Sequence, residues 1–185
     1  MRTSKAGQSA LLLFDVVEIL RRENVDYAVI GAFALSVLGV VRATMDADAL
    51  LNTSRARLAQ LEELFEQAGF TAELRRGRAD DPIPNLLVLS DDFGNQVELL
   101  GSLRGMDPQI LSRAFEVKLR GETLRVVRRE DFIALKCFAG GPQDLLDARS
   151  AYETAEGPID LDLLRTVTRR FGRDAADRLE EILAG

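Results

Sequence analysis

The sequence predicts a mixed α/β fold, with a small sheet flanked by helices and a purely helical C-terminal region. Short apolar runs of strand length alternate with amphipathic helical stretches through residue 128. From residue 129 onward only helical periodicity remains, so residues 1–128 are expected to form the α/β core and residues 129–185 a helical region packed on it. Composition agrees: 46% of the 185 residues are apolar and 29% charged, the balance of a folded domain with one ordinary core.

The elements follow in order. "SALLLFDVVEILRREN" carries Leu11, Leu12, Phe14, Val17, Ile19 and Leu20 at mainly helical spacing. "VDYAVI" reads as a short buried strand that stops at Gly31, and "AFALSVLGV" as a helix opening at that glycine and closed by Gly39. "DADALLN" is a second strand. "SRARLAQLEELFEQAGF" is an amphipathic helix with Ser54 as N-cap and Gly69 as its stop. "NLLVLSDDFGNQVELLGS" predicts a hairpin about "DDFGN", "DPQILSRAF" a short helix, and "EVKLRGETLRVV" a second hairpin. Helices then begin at "EDFIALKCFAG", "PQDLLDARSAYETA", "DLDLLRTVTRRFG" and "RDAADRLEEILA".

The chain has no histidine and one cysteine, Cys137. Histidine-dependent triads, Cys/His zinc sites and an internal disulfide are therefore excluded, and a reducing, cytoplasmic setting is expected. Any catalysis must rest on carboxylates, lysine and arginine. No apolar run reaches the length of a membrane span, so no membrane partner is expected. The net charge of −6 means that nucleic acid could be bound only through a local basic patch. The clusters "RRGR" (75–78), "RVVRR" (125–129) and "RR" (169–170) lack interleaved aromatics and read as solvated faces, with an RNA track as the alternative.

In the stretch "RATMDADALL" two aspartates stand one residue apart. On a strand Asp46 and Asp48 project to one face while Met45, Ala47 and Ala49 project to the other. Two adjacent carboxylates repel unless a cation lies between them. A hard divalent ion that keeps positions open for water and phosphate, Mg2+ or Mn2+, suits such a half-site. A solvated strand end is the other reading of that triplet alone.

The wider segment "YAVIGAFALSVLGVVRATMDADALL" resembles the signature of the DNA polymerase beta-like nucleotidyltransferase superfamily, and more narrowly the small bacterial proteins related to AbiEii-type toxins. Gly31, Ala34, Gly39, Arg42, Thr44, Asp46 and Asp48 fall in register with that pattern. Downstream, "NQVELLGS" places Glu98 at the third carboxylate, and "REDFIALKCFAGGPQDLLDARSAYE" matches a helical lysine segment through Lys136, Asp144 and Asp147. Three positions depart from the pattern: Ala32 replaces a glycine or serine, Glu98 an aspartate, and Gly141 a basic residue.

The resemblance implies a minimal nucleotidyltransferase fold and transfer of a nucleoside monophosphate from a nucleoside triphosphate. The acceptor would be RNA, protein or a small molecule, and a toxin–antitoxin setting with an antitoxin partner is implied as well. Asp46, Asp48 and Glu98 would be the catalytic and metal-binding carboxylates. Gly31, Ala32, Arg42, Thr44, Lys136 and Asp144 would contact the nucleotide. Each has a plainer reading: Lys136 a snorkelling lysine, Arg42 a surface ion pair, Glu98 a solvated hairpin residue, and Asp144 a helix-dipole partner. Asp147 is assigned only the dipole role. A second functional reading keeps the fold and the nucleotide without turnover, as a regulatory or partner protein.

Overall fold

The computed structural model describes residues 1–42, 46–78 and 81–185. Helix α1 (Ser9–Arg22) opens the fold, and its Leu12, Leu13, Val16, Val17 and Leu20 are buried, the 3–4 spacing of a single apolar stripe. Strand β1 (Tyr27–Ile30) is buried along its whole length, as its uninterrupted apolar run requires of a central strand. Helix α2 (Gly31–Val37) follows without a loop, and strand β2 (Asp46–Leu51) returns antiparallel to β1. Helix α3 (Arg55–Gln67) begins where Ser54 Oγ accepts from the Arg57 amide at 3.2 Å, and it ends before Gly69 at φ +89°.

Strand β3 (Thr71–Arg76) then pairs with β4 (Asn85–Ser90), which pairs with β5 (Gln96–Leu100). The short helix α4 (Ile110–Arg113) leads into the hairpin β6 (Phe115–Leu119) and β7 (Glu122–Val126). Four helices complete the chain: α5 (Arg129–Ala139), α6 (Pro142–Glu153), α7 (Leu161–Arg170) and α8 (Arg173–Ala184). The strands form one mixed sheet in the order β3-β4-β5-β2-β1-β7-β6, with β2 parallel to β5 and β1 parallel to β7.

Strand β3 is the element that periodicity does not announce. "TAELRR" carries two weakly apolar positions, Ala72 and Leu74, among exposed polar ones, because an edge strand has only one neighbour to cover it. Its outward Leu74 amide is taken up by Glu62 Oε1 from α3 at 2.7 Å, which blunts the edge.

Alternation decides which face of the sheet is core. In β2 and β5, Ala47, Ala49, Val97 and Leu99 are wholly buried and α1 packs across both strands. Asp46, Asp48 and Glu98 occupy the intervening positions, facing the opposite way. On that side α5 packs against α2 and is gripped in turn by α6, α7 and α8. Two polar contacts set the pose of α5. Asp131 in its first turn takes a bidentate contact from Arg113 at 2.9 and 2.6 Å. At its other end Arg178 of α8 donates to the carbonyl of Cys137 at 3.0 Å, satisfying a terminal carbonyl.

The loop 91–95 is held by its own side chains. Asp91 Oδ1 accepts from the amides of Phe93 and Asn95, each at 2.9 Å, in an Asx turn. Asn95, 1% exposed, accepts from the Gln8 amide at 2.6 Å and donates to the Lys5 carbonyl at 2.9 Å, tying the N-terminal segment to the hairpin. Asn95→Ala removes both part-buried hydrogen bonds and is expected to cost about 1–3 kcal/mol, read as a lower urea midpoint at unchanged slope.

Candidate active site

The site grows out of the junction between β1 and α2. Gly31 adopts φ +65°, and a Cβ built there would lie 2.0 Å from Asp48 Oδ2. Glycine is thus required twice over, for the left-handed backbone and for the approach of a carboxylate onto its Cα. Ala32 is buried and lies outside the left-handed region, so a methyl group is accommodated where the family pattern has a second small residue. Asp48 pairs with Ile30 on one side and with Glu98 on the other. Neighbouring strands lie about 4.8 Å apart. Asp46 is two residues along on the same face.

Three carboxylates on one patch of sheet strain each other electrostatically. Asp48 is pushed up to about 6, first by burial and then by the charges of Glu98 and Asp46, against the opposing pull of Lys136 and Arg42. Glu98 is raised by burial and by Asp46. Among the described residues no group of three or more acidic or cysteine side chains is arranged to hold a metal ion as it stands. Cys137 is buried and its thiol pushed up to about 11, so it takes no part as a thiolate.

The cationic half of the site is Lys136 of α5 and Arg42 from the segment between α2 and β2, both held by acids of α6. Lys136 Nζ lies 2.7 Å from Asp144 Oδ1 and 3.0 Å from Asp147 Oδ2, with its ammonium 5.8 Å from the centre of the Phe132 ring. Arg42 Nη1 reaches the same Asp147 Oδ2 at 2.7 Å, and Gln143 Nε2 donates to Asp147 Oδ1 at 2.9 Å. Asp147 is 2% exposed. The sequence reading of Asp147 as a helix-dipole partner is corrected here: it is a buried anchor that positions the two cations facing the carboxylates. Its signal in the sequence is the Asp144-Leu-Leu-Asp147 spacing, which puts both acids on one face of α6, eight and eleven residues after Lys136. Arg42 does make an ion pair, with a buried rather than a surface acid.

Gly31, Ala32, Arg42, Asp46, Asp48, Glu98, Lys136 and Asp144, together with Gln143, line one cavity of about 260 Å³. The expected residues therefore converge, with the exception of Thr44, which lies outside the described residues. A second cavity of about 310 Å³ shares Gly31, Asp48, Glu98, Lys136 and Asp144 and continues along Leu100, Leu103, Phe132 and Leu135. The site thus has a charged half and an apolar half on either side of Asp48 and Glu98. Gly141 leaves room for this arrangement, since a Cβ there would lie 2.9 Å from Asp144 Oδ2.

A mixed sheet with paired carboxylates beside a glycine-opened helix is the layout that the sequence resemblance implies. The sequence matches the family described as "Nucleotidyl transferase of unknown function (DUF2204)" over residues 10–183, and the chain belongs to it. No curated protein matches the chain. Among solved structures, an antigenic nucleotidyltransferase-like protein from Paracoccidioides brasiliensis is similar at 17% identity and TM-score 0.53, over 98% of this chain and 95% of that one. The antibiotic-resistance factor ANT(2'')-Ia is similar at 14% identity and TM-score 0.60, over 96% and 97%. The lincosamide antibiotic adenylyltransferase LnuA is similar at 13% identity and TM-score 0.52, over 83% and 100%. At these identities the likeness is one of fold, in accord with the resemblance to the polymerase beta-like superfamily. Among the described residues no helix is long and apolar enough to cross a membrane.

Because Asp48 titrates above an ordinary carboxylate, the folded state holds its proton more tightly than the unfolded chain does. That stabilising preference is present near pH 4 and is lost as pH rises through about 6. Without added metal, Asp48→Asn is therefore expected to stabilise the protein at neutral pH by about 1–3 kcal/mol, at about 1.4 kcal/mol per pKa unit. Thermal melts at acidic and neutral pH check it, with no gain expected at the acidic end.

Proposed function

We propose that the protein transfers a nucleoside monophosphate from a nucleoside triphosphate to a hydroxyl-bearing acceptor, releasing pyrophosphate, with a divalent ion, Mg2+ or Mn2+, at the carboxylates. The observation that carries this reading is the registered pair Asp48 and Glu98, with Asp46 on the same face and Gly31 against Asp48. The donor set is hard oxygen with no imidazole or thiolate, the chemistry that suits these ions. Magnesium is commonly held by one or two carboxylates plus substrate phosphates, so a cage completed only with nucleotide fits a set that does not close by itself. Asp46 and Asp48 would hold the ion, with Glu98 sharing it, and it would supply neutralisation of phosphate charge at the reacting centre.

The remaining roles belong to the chain's own groups. The amides of Gly31 and Ala32, at the start of α2 beside the charged cavity, offer donors to triphosphate oxygens. Lys136 and Arg42, held by Asp144 and Asp147, balance charge on the opposite wall. Glu98, raised above the ordinary carboxylate range by burial and by Asp46, is the group placed to accept the acceptor's hydroxyl proton. The apolar cavity past Leu100 and Phe132 receives the body of the acceptor or the nucleobase.

ANT(2'')-Ia is described in complex with adenylyl-2''-tobramycin, and LnuA as lincomycin-bound. These support a small hydroxylated acceptor here, with RNA and protein as the other classes to try. In the same reading residues 1–128 form the catalytic core and residues 129–185 the helical unit that supplies Lys136 and the acids that anchor both cations. The AbiEii-like register of the motifs makes an antitoxin a candidate partner. A second reading, nucleotide binding without turnover, is favoured by one observation, the longer Glu98 where the family pattern has an aspartate.

The test offers each α-labelled nucleoside triphosphate with Mg2+ and pools of small hydroxylated molecules, RNA and proteins. Transfer of label is expected to fall by about a hundredfold to a thousandfold in Asp48→Asn, the scale of losing transition-state charge stabilisation. Magnesium-dependent nucleotide binding with no label on any pool would favour the second reading.

A further inference from the structure

A third cavity, of about 540 Å³, lies away from the carboxylates and is lined by Arg55, Arg76, Gly77, Arg78, Pro84, Asn85 and Arg104. Its four arginines come from separate parts of the chain: the first turn of α3, the end of β3 and the residues after it, and the segment following β5. Local sequence explains how they meet. Gly77 lets the end of β3 close on the next loop, its amide donating to the Pro84 carbonyl at 3.1 Å, and a Cβ there would fall 2.3 Å from the Ile83 carbonyl oxygen. Arg104 is brought alongside by its own amide, which donates to the Pro82 carbonyl at 3.1 Å. Arg55 stands at the start of a 13-residue helix, whose positive end adds to the same field.

Most of the other clustered arginines are committed to the protein itself. Arg75 pairs with Glu73, Arg125 with Asp26 and Arg128 with Glu130, while Arg129 and Arg170 donate to backbone carbonyls. Among the described residues Arg55, Arg76 and Arg78 make no ion pair, and no acidic side chain lines their cavity. The nearby Asp81 is taken up by its own loop, accepting from the Ile83 amide at 2.8 Å. Guanidinium groups fit phosphate oxygens in a way that carboxylate-lined or apolar cavities cannot. A concentration of them in a chain of net charge −6 is a local reversal of the molecule's field.

We propose that this cavity is a second binding site, distinct from the carboxylate cleft, for a ligand carrying several phosphate groups. The same chemistry is presented by the phosphodiester chain of RNA and by a small polyphosphate. Pro82 and Ile83 line the apolar cavity, and Pro84 lines this one. The two spaces are thus neighbours across one loop, and a phosphate-bearing ligand held here lies beside the apolar half of the site. The assignment does not depend on the transfer reaction.

Binding is measured on the full chain in EDTA with two probes, a short labelled single-stranded RNA and inorganic tripolyphosphate. Arg55→Gln/Arg76→Gln/Arg78→Gln is expected to weaken whichever probe binds by about tenfold or more. For RNA the salt slope should fall by about 2, since each phosphate that an arginine neutralises on a single strand contributes about 0.7. Arg75→Gln, with its guanidinium outside the cavity, and Asp48→Asn should bind as wild type does, which separates this site from the catalytic cleft. The three arginines are exposed, and melting curves verify that the triple variant is folded. RNA binding abolished in the variant assigns the site to a phosphodiester chain, and tripolyphosphate binding alone assigns it to a small ligand. Equal affinity in wild type and triple variant, or no binding of either probe to wild type, overturns the proposal.

Discussion

The mutual repulsion of Asp46, Asp48 and Glu98 is the constraint around which the rest of the molecule is arranged. These side chains share one face of two parallel strands because alternation leaves no other choice once Ala47, Ala49, Val97 and Leu99 are turned into the core. Burial compounds the repulsion: Asp48 is pushed up to about 6, first by burial and then by the charges of Glu98 and Asp46. A protein selected for stability alone would replace one of these acids. This one instead surrounds them with a glycine that admits the carboxylate, and with cations that reduce the cost without removing it.

The helical C-terminal region makes that partial compensation durable. Lys136 and Arg42 are long, flexible side chains that would ordinarily sample many rotamers, and holding them costs entropy. Asp147, buried at the base of both, fixes their ends within 3.0 and 2.7 Å. A buried acid with two cationic partners and an amide donor is satisfied in a way that a lone buried carboxylate is not. Arg178 and Asp131 in turn fix the two ends of α5, so the geometry of the cations is inherited from helix packing some distance away. The site is therefore a product of the whole chain.

Much of this was legible in the sequence because it rests on short-range rules. The Asp-x-Asp alternation put two acids on one face of a strand, and the apolar run before Gly31 marked a buried strand ending in a glycine. Ser54 and Gly69 bracketed α3 by ordinary capping chemistry. What spacing alone did not reveal depends on distant pairing. Glu98 joins the aspartates only through the register of β2 with β5, so its place came from family resemblance rather than from periodicity. Asp147 meets Arg42 across 105 positions, which no local pattern can encode. Strand β3 is half polar because it lies at an edge, and its role as the support of an arginine-lined cavity depends on the close approach of Gly77 to Ile83.

Completion of the strained carboxylates by a divalent ion together with a triphosphate is tested most directly by calorimetric titration of nucleoside triphosphate into the protein with Mg2+ and with EDTA. Binding is predicted to require Mg2+ and to disappear in Asp48→Asn, while the fold of that variant is retained. Binding of equal affinity in EDTA, or undiminished in Asp48→Asn, would contradict it.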